Sequence, residues 1–420
     1  MPKIEKFLIV DDQDANLLFF QVLLGELGYD SVYTANHGHD AQTSADRFGV
    51  EFVISSWELK GMPGTVFVQR LRSNRKYYNT PFLIYSRDMS DNELALIKEL
   101  GLPNVLKIPF DRALAKETIE KMISEANSQT KDQINFRKME AAFATNNVEE
   151  ALKIADDSLR DSSEVGHKVN TLLGEIYLAA GSPQKAEECL LKSEEMRNDY
   201  LPNKYALAKL YSVTKRSDKA IELLKGLVSD SPLNVKTMLT LSSAYLLSGN
   251  KEDAKHMIRQ AEDIDPDCMQ LVNERAKVAL AEGDIAKTKE LIEASDNSEQ
   301  LAREFNMMAI SMVANGEFVR GIEIYKQAIE LLGGKAKTYL LRFNLGLAYR
   351  KQGKLKSAFV EFAKSYIAEP TYEKAYSAIA KTHKDMKAKG LKVGAAAIDK
   401  IKAARASVKS RDEQQSEKAG

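Results

Sequence analysis

Along residues 1–125, short apolar runs alternate with stretches whose apolar residues recur every three or four positions. The runs Phe7–Val10, Val32–Ala35, Phe52–Ser55, Phe82–Tyr85 and Val105–Ile108 are too short for helices and read as strands of a parallel sheet. Between them, Asn16–Leu27, Thr65–Arg72, Asn92–Leu100 and Ala113–Ala126 carry amphipathic helical spacing. Such alternation predicts a doubly wound α/β domain with right-handed crossovers and helices on both faces. The polar stretch Ser124–Ile134, SEANSQTKDQI, marks a junction, and residues 126–134 read as a linker or an extension of the preceding helix. From residue 135 onward the pattern is helical throughout, without a strand signal. The fold class expected is therefore α/β followed by all-α.

The second part is periodic. Tyr177, Tyr211 and Tyr245 stand 34 positions apart, with Ala279 next, and Ala186, Ala220, Ala254 and Thr288 form a second column at that spacing. Pro232 and Pro266 close two successive units. With a slight shift the columns continue through Met312 and Gly321, then Tyr349 and Ala358, while Ala142 and Ala151 mark a weaker earlier unit. LLGEIYLAAGSPQKAEECL and NLGLAYRKQGKLKSAFVEF share the order Leu-Gly, Tyr, turn Gly, Ala. This pattern resembles tetratricopeptide (TPR) repeats, and about seven units occupy residues 135–390.

The resemblance implies an α-solenoid with a concave groove that takes a peptide or protein segment. By the same resemblance the groove positions include Thr171, Glu175, Tyr205, Lys209, Leu239, Asn273, Lys277, Asn306, Ile310, Phe343 and Leu347. Tyr205, Lys209 and Phe343 are expected to carry most of the binding energy. Tyr376–Lys387 and Val393–Ala404 read as closing helices, and residues 391–420 as a capping helix followed by a disordered charged tail.

Chemistry gathers in the first part. Asp11 and Asp12 follow the first strand, Ser56 ends FVIS, Ser86 follows FLIY, and Lys107 lies in VLKIPF. In an open parallel sheet these carboxyl ends share one rim. The constellation resembles the CheY-like receiver domains of two-component response regulators. There a pair of acids holds a divalent cation, an aspartate accepts phosphoryl, a hydroxyl follows it, and a lysine before proline neutralises it.

Asp11, Asp12 and Ser86 match the family's acids and switch hydroxyl, but Ser56 stands at the acceptor position. An ungapped alignment through Pro109 and Phe110 puts Ile108 at the lysine position and Lys107 one residue early. Lys60 replaces the usual loop proline, Pro63 a second acid, and Val105 the aromatic switch. Lys107 and Lys60 are thus the candidate basic groups of the pocket. A serine acceptor requires a base and yields a stable ester, which argues for a pseudo-receiver. Residual Mg2+ on Asp11, Asp12 and Glu58 is the one cofactor left open, the alternative being that Glu58 is solvated loop. His37 and His39, in NHGHD, lack further ligands and read as a solvated loop.

Composition narrows the classes further. The 420 residues hold 60 Lys+Arg against 60 Asp+Glu, so no net field favours nucleic acid. Cys189 and Cys268 lie in separate helical patterns and read as buried cytosolic thiols. No apolar run approaches the roughly 20 residues that span a bilayer, and MPKIEKFLIV lacks a signal-peptide core, so a cytoplasmic location is expected.

The reading is a non-catalytic signalling adaptor. Its first domain docks a histidine kinase, a response regulator or another signalling protein while the groove binds a protein. A response regulator gated by phosphorylation of a non-standard acceptor is the alternative. An enzyme finds no nucleophile–base pair or phosphate loop to rest on.

Overall fold

Lys6–Val10 (β1), Ser31–Ala35 (β2), Phe52–Ser56 (β3), Phe82–Ser86 (β4) and Val105–Lys107 (β5) form a parallel sheet in the order β2-β1-β3-β4-β5. The computed structural model describes residues 4–77, 80–102, 104–144, 147–180, 182–214, 216–295, 297–334, 336–392, 394 and 397–406. Register pairs Val10 with Ser55, Ser56 with Tyr85, and Ser86 with Lys107, which draws the strand ends to one rim.

Asp14–Glu26 (α1), Gly38–Phe48 (α2), Gly64–Ser73 (α3), Asp91–Glu99 (α4) and Arg112–Asn127 (α5) cover the sheet. Successive strand side chains point to opposite faces. Leu8, Val10, Val53 and Ile84 pack with α2, α3 and α4, whereas Phe7, Ile9, Ile54 and Tyr85 pack with α1 and α5. Both faces are dry, which explains why β1, β3 and β4 read as continuous apolar runs.

The pattern of apolar positions does not reveal α2. Its buried residues are the small Gly38, Ala41 and Ala45, and its one large apolar residue is Phe48, so no apolar run marks it. His37 is its N-cap residue and His39 lies in its first turn, both exposed, so the histidines open a helix instead of a loop.

The remaining described segments are helical. Contacts divide the chain into two compact units, one of Met1–Leu210, Lys219–Leu241 and Gln260–Pro266, the other of Tyr211–Asp218, Ser242–Arg259 and Asp267–Gly420. After α5 come Lys131–Ala144 (α6), Val148–Ile154 (α7), Asp157–Arg160 (α8), Gly166–Ala179 (α9) and Pro183–Met196 (α10). Leu201–Val213 (α11), Ser217–Asp230 (α12), Val235–Ser248 (α13) and Lys251–Ile264 (α14) follow. Next are Met269–Glu282 (α15), Ile285–Ala294 (α16), Ser298–Ala314 (α17) and Phe318–Leu331 (α18). Tyr339–Lys351 (α19), Leu355–Ala368 (α20) and Glu373–Ala388 (α21) complete the series.

These helices pair as hairpins of the TPR type, the all-α half of the fold. In the first unit α9 lies against α10, and in the second α19 lies against α20. A Cβ on Gly174 would stand 2.4 Å from Leu190, and one on Gly346 2.6 Å from the Phe362 ring. At both positions the absence of a side chain is what lets the paired helices close. Residues 397–406 are helical, and the expected charged tail falls outside the described residues from 407 onward. Cys189 and Cys268 are buried free thiols.

Candidate functional site

The rim is built from the ends of β1, β3 and β4. Asp11, fully buried directly after β1, accepts hydrogen bonds at Oδ1 from the Gln13 backbone N–H (2.8 Å) and at Oδ2 from Asn16 Nδ2 (2.8 Å) and the Tyr85 hydroxyl (2.5 Å). Burial, then the Asp11 charge, pushes the Tyr85 phenol far above its ordinary value, so it remains a neutral donor. Asp12 Oδ2 pairs with Lys60 Nζ at 3.1 Å, although that lysine is 79% exposed.

Ser56 is 4% exposed, and its hydroxyl donates to the Glu58 carbonyl at 3.3 Å. A carbonyl cannot take up a proton as a general base would, so this hydroxyl has no activated direction of attack. Glu58 is an exposed loop residue with one carboxylate oxygen engaged. Its Oε1 accepts from the Ser86 hydroxyl (2.7 Å) and from the Arg87 N–H (3.1 Å). Ser86 also lies 2.7 Å from the Asp88 carbonyl, and its one proton serves either acceptor. The Glu58 carboxylate therefore faces the switch hydroxyl and an adjacent amide, a pair of donors arranged for an anion.

Lys107 and Ile108 fall as strand alternation requires. Lys107 is exposed, Leu106 is buried, and Ile108 packs against the apolar cluster that includes α1 and α5. Lys107 is thus on the exposed face of β5, and it is Lys60 that brings positive charge to the acids.

A divalent cation does not fit this donor set. Both Asp11 oxygens are occupied, one Asp12 oxygen is on Lys60, and Ser56 brings no charge. Among the described residues no group of three or more His, Cys, Asp or Glu side chains is arranged to hold a metal ion. Glu58 Oε1 is engaged by Ser86 and Arg87, so that oxygen is not free for a cation.

Three residues of the rim escape pattern reading. Tyr85 looks like strand core, Trp57 like a loop anchor, and Glu93 like helix surface. Yet Trp57 Nε1 donates to Glu93 Oε1 at 2.6 Å, joining the Ser56 loop to α4. Burial works to raise the Glu93 carboxyl, but hydrogen bonds from Ser90 and Trp57 outweigh it and hold the group below its usual range. Gly64 closes the other side of this loop. Its N–H donates to the Trp57 carbonyl at 3.1 Å, and a Cβ there would lie 2.5 Å from that oxygen. Ser90 and Glu93 together form the capping box that opens α4.

The repeat positions separate into open and packed. In the first unit Thr171 is buried and bonded to the His167 carbonyl, Ser193 and Asn203, and Leu239 is buried as well. Glu175 is half-buried and Lys209 exposed. Tyr205 is turned to α4, where its hydroxyl meets Glu99 Oε1 at 3.2 Å and also Thr237, with Lys236 Nζ 4.7 Å above its ring.

In the second unit Asn273 accepts from Ser295 at 3.0 Å. Lys277 is buried against Glu274, Glu304 and Ser243. Burial alone would lower the Lys277 ammonium, but the two carboxylates hold it above its ordinary value. Phe343 packs on Phe362 and Tyr372, with ring centroids 5.5 and 5.2 Å away. Tyr205 and Phe343 are each half-buried and make packing contacts beyond those the repeat register specifies. The side chains were assigned from the repeat register, which does not specify what the next element places against them. Among the described residues of the second unit, Ile310, Val313, Leu347, Asn344, Arg350 and Lys351 line an open cavity of about 460 Å3. Ile310 and Leu347 are 40% and 37% exposed there, and Asn306 lies beside it, bonded to Asn344 at 2.8 Å.

Comparison with known proteins places these observations. Residues 7–120 match the family model of the response regulator receiver domain, and residues 167–200, 235–268 and 306–374 match tetratricopeptide repeat models. A chemotaxis protein CheY homolog of Campylobacter jejuni is 26% identical over 125 residues, 30% of this chain and 96% of the relative. Chemotaxis protein CheY1 of Helicobacter pylori is 27% identical over 116 residues, 27% of this chain and 94% of the relative. The chemotaxis response regulator CheY4 of Vibrio cholerae is 27% identical, over 28% of this chain and 98% of that structure, with a TM-score of 0.27. The parallel sheet with its acidic rim is a CheY-like response regulator receiver domain, and the helical hairpins that follow it are tetratricopeptide repeats.

Proposed function

We propose that this two-component signalling protein is a non-catalytic adaptor. Its receiver domain acts as a pseudo-receiver that docks a histidine kinase, a response regulator or another signalling protein, and its repeats bind a protein segment. The observation that carries the reading is the internal saturation of the rim. Asp11 is bonded by Tyr85 and Asn16, Asp12 by Lys60, and Ser86 lies against Glu58, with a serine at the acceptor position. Phosphoryl transfer depends on electrostatic stabilisation of charge by cations and donors held ready. Here Asp11 is already hydrogen-bonded by protein donors, Asp12 is paired with Lys60, and the switch hydroxyl already faces a carboxylate. Glu58 thereby acts as a resident anion in the place where a phosphoryl oxygen would be held, so the domain signals by being present and docked instead of by being modified.

In the repeats, the cavity around Ile310 and Leu347 suits an apolar anchor residue, and Lys351 at its edge suits an acidic flank. Among the described residues no helix is long and apolar enough to cross a membrane. The proposed setting is the cytoplasm, where a kinase or regulator partner would be met.

The test is incubation of the full chain with acetyl phosphate, and separately with a phosphorylated histidine kinase, followed by intact-mass measurement. The expected outcome is no mass gain. A gain of one phosphoryl group that disappears in Ser56→Ala would overturn the pseudo-receiver and establish a phosphorylation-gated regulator with an unusual acceptor.

A further inference from the structure

Consecutive residues of α3 reach out of the receiver and grip the repeats. Gln69, 9% exposed, donates through Nε2 to the Leu233 carbonyl (3.0 Å) and accepts at Oε1 from the Val235 N–H (2.9 Å). Its amide thus pairs with two backbone groups at the turn between α12 and α13. Arg70 sets its guanidinium across the Asp265 carboxylate, with Nε 3.0 Å from Oδ2 and the second nitrogen on Oδ1. Such a fork on a carboxylate is directional as well as charged. On α4, Glu99 Oε1 accepts from the Tyr205 hydroxyl. Leu233 adds its side chain to the apolar cluster of the receiver. The two gripped turns are the same point of successive repeats, since Pro232 and Pro266 are 34 positions apart. The receiver is therefore set on repeating features of the array.

The helices that make this seam are also those fastened to the Ser56 loop. Gly64, the first residue of α3, donates to the Trp57 carbonyl, and Trp57 donates to Glu93 on α4. Gln69 and Arg70 lie less than two turns beyond Gly64 on α3, and Glu99 lies less than two turns beyond Glu93 on α4.

We infer that the α3–α4 face is the output surface of the receiver, and that its partner is the row of inter-repeat turns in its own chain. The seam is releasable. Among the described residues its hydrogen bonds and ion pair are polar, Leu233 adds an apolar side chain, and Glu99 Oε2 is buried without a partner, which favours release. A signalling protein that engages Gln69 and Arg70 has to displace Leu233, Val235 and Asp265, and in doing so releases Tyr205. The inference holds whether or not Ser56 accepts phosphoryl, so it stands or falls separately from the pseudo-receiver reading.

The experiment is hydrogen–deuterium exchange on the full chain for wild type, Arg70→Asp, Asp265→Arg and the double swap, with circular dichroism to verify folding. Each single variant places like charges at the seam and should raise exchange at residues 231–235 and in α3 at least tenfold. The double swap should bring both segments back to within about threefold of wild type. Gln69→Ala, which leaves charge unchanged, should loosen residues 231–235 even if a charge variant fails to fold. Trp57→Phe should raise exchange at the same turn by removing the bond to Glu93. If residues 231–235 exchange equally in wild type, Arg70→Asp and Gln69→Ala, the seam is not occupied in solution and the inference fails. If the double swap is as loose as the worse single variant, Arg70 and Asp265 do not meet, and it fails as well.

Discussion

Tyr85→Phe tests the rim most directly, because it removes one oxygen and leaves the packing in place. The ring stands between Phe20 and Phe110, with centroids 5.1 Å away on each side, and phenylalanine keeps both contacts. What is lost is one of the three donors to Asp11, a carboxylate with no exposure and so no access to replacement water. A hydrogen bond to a charged group contributes about 1.5–3 kcal/mol, and two donors remain, so a loss of about 2 kcal/mol is expected. The chain has a single tryptophan, Trp57, buried beside the rim, so its fluorescence reports on the receiver alone.

With a urea slope of about 2 kcal/mol per molar, the midpoint should fall by about 1 M. Tyr77→Phe is the control. Its hydroxyl bonds Asp46 at 2.9 Å, but that carboxylate is 55% exposed, so water can replace the donor and the shift should be under about half as large. Equal shifts for the two variants would mean that Asp11 is solvated or differently bonded, and the saturation argument for the rim would lose its footing.

Other consequences are checkable. Burial, reinforced by Lys168 and Arg197, lowers the His167 imidazole from 6.5 to about 4. A depressed histidine favours the folded state above its unfolded pKa, so that stability is intact above pH 6.5 and drains away as pH falls towards 4, and His167→Gln should flatten the acid limb of a stability-versus-pH curve. Gly346→Ala drives a methyl into the Phe362 ring and should destabilise the second unit by about 1–3 kcal/mol in thermal unfolding, despite alanine's higher helix propensity. Ile310→Ala with Leu347→Ala should weaken capture of a groove ligand about tenfold or more while leaving the melting temperature nearly unchanged. Phe343→Ala, in the aromatic packing with Phe362 and Tyr372, should instead lower the melting temperature, and the opposite pairing of results would invert the assignment of open and packed residues.

The sequence by itself determined what is local or periodic. Dry strands such as Phe52–Ser56 announce themselves because both of their faces must be apolar. The 34-residue columns mark paired helices because the same contacts recur in each unit, and Gly174 and Gly346 mark close approaches where a Cβ would meet Leu190 and Phe362. The serine at position 56 and the isoleucine at 108 are likewise plain on the page, along with the chemistry they subtract.

Tertiary structure decided what depends on residues far apart meeting. The α2 helix closes on small residues whose burial is visible only once Ala41 and Ala45 lie against the sheet. Asp11 owes a donor to Tyr85, 74 positions away, and Ser86 owes its carboxylate to Glu58, 28 positions back, so neither could be assigned from spacing. Tyr205 owes a partner to Glu99, 106 positions away, for the same reason. A side chain's period states which face it shares with its neighbours along the chain, while the element packed against that face is selected by the fold as a whole.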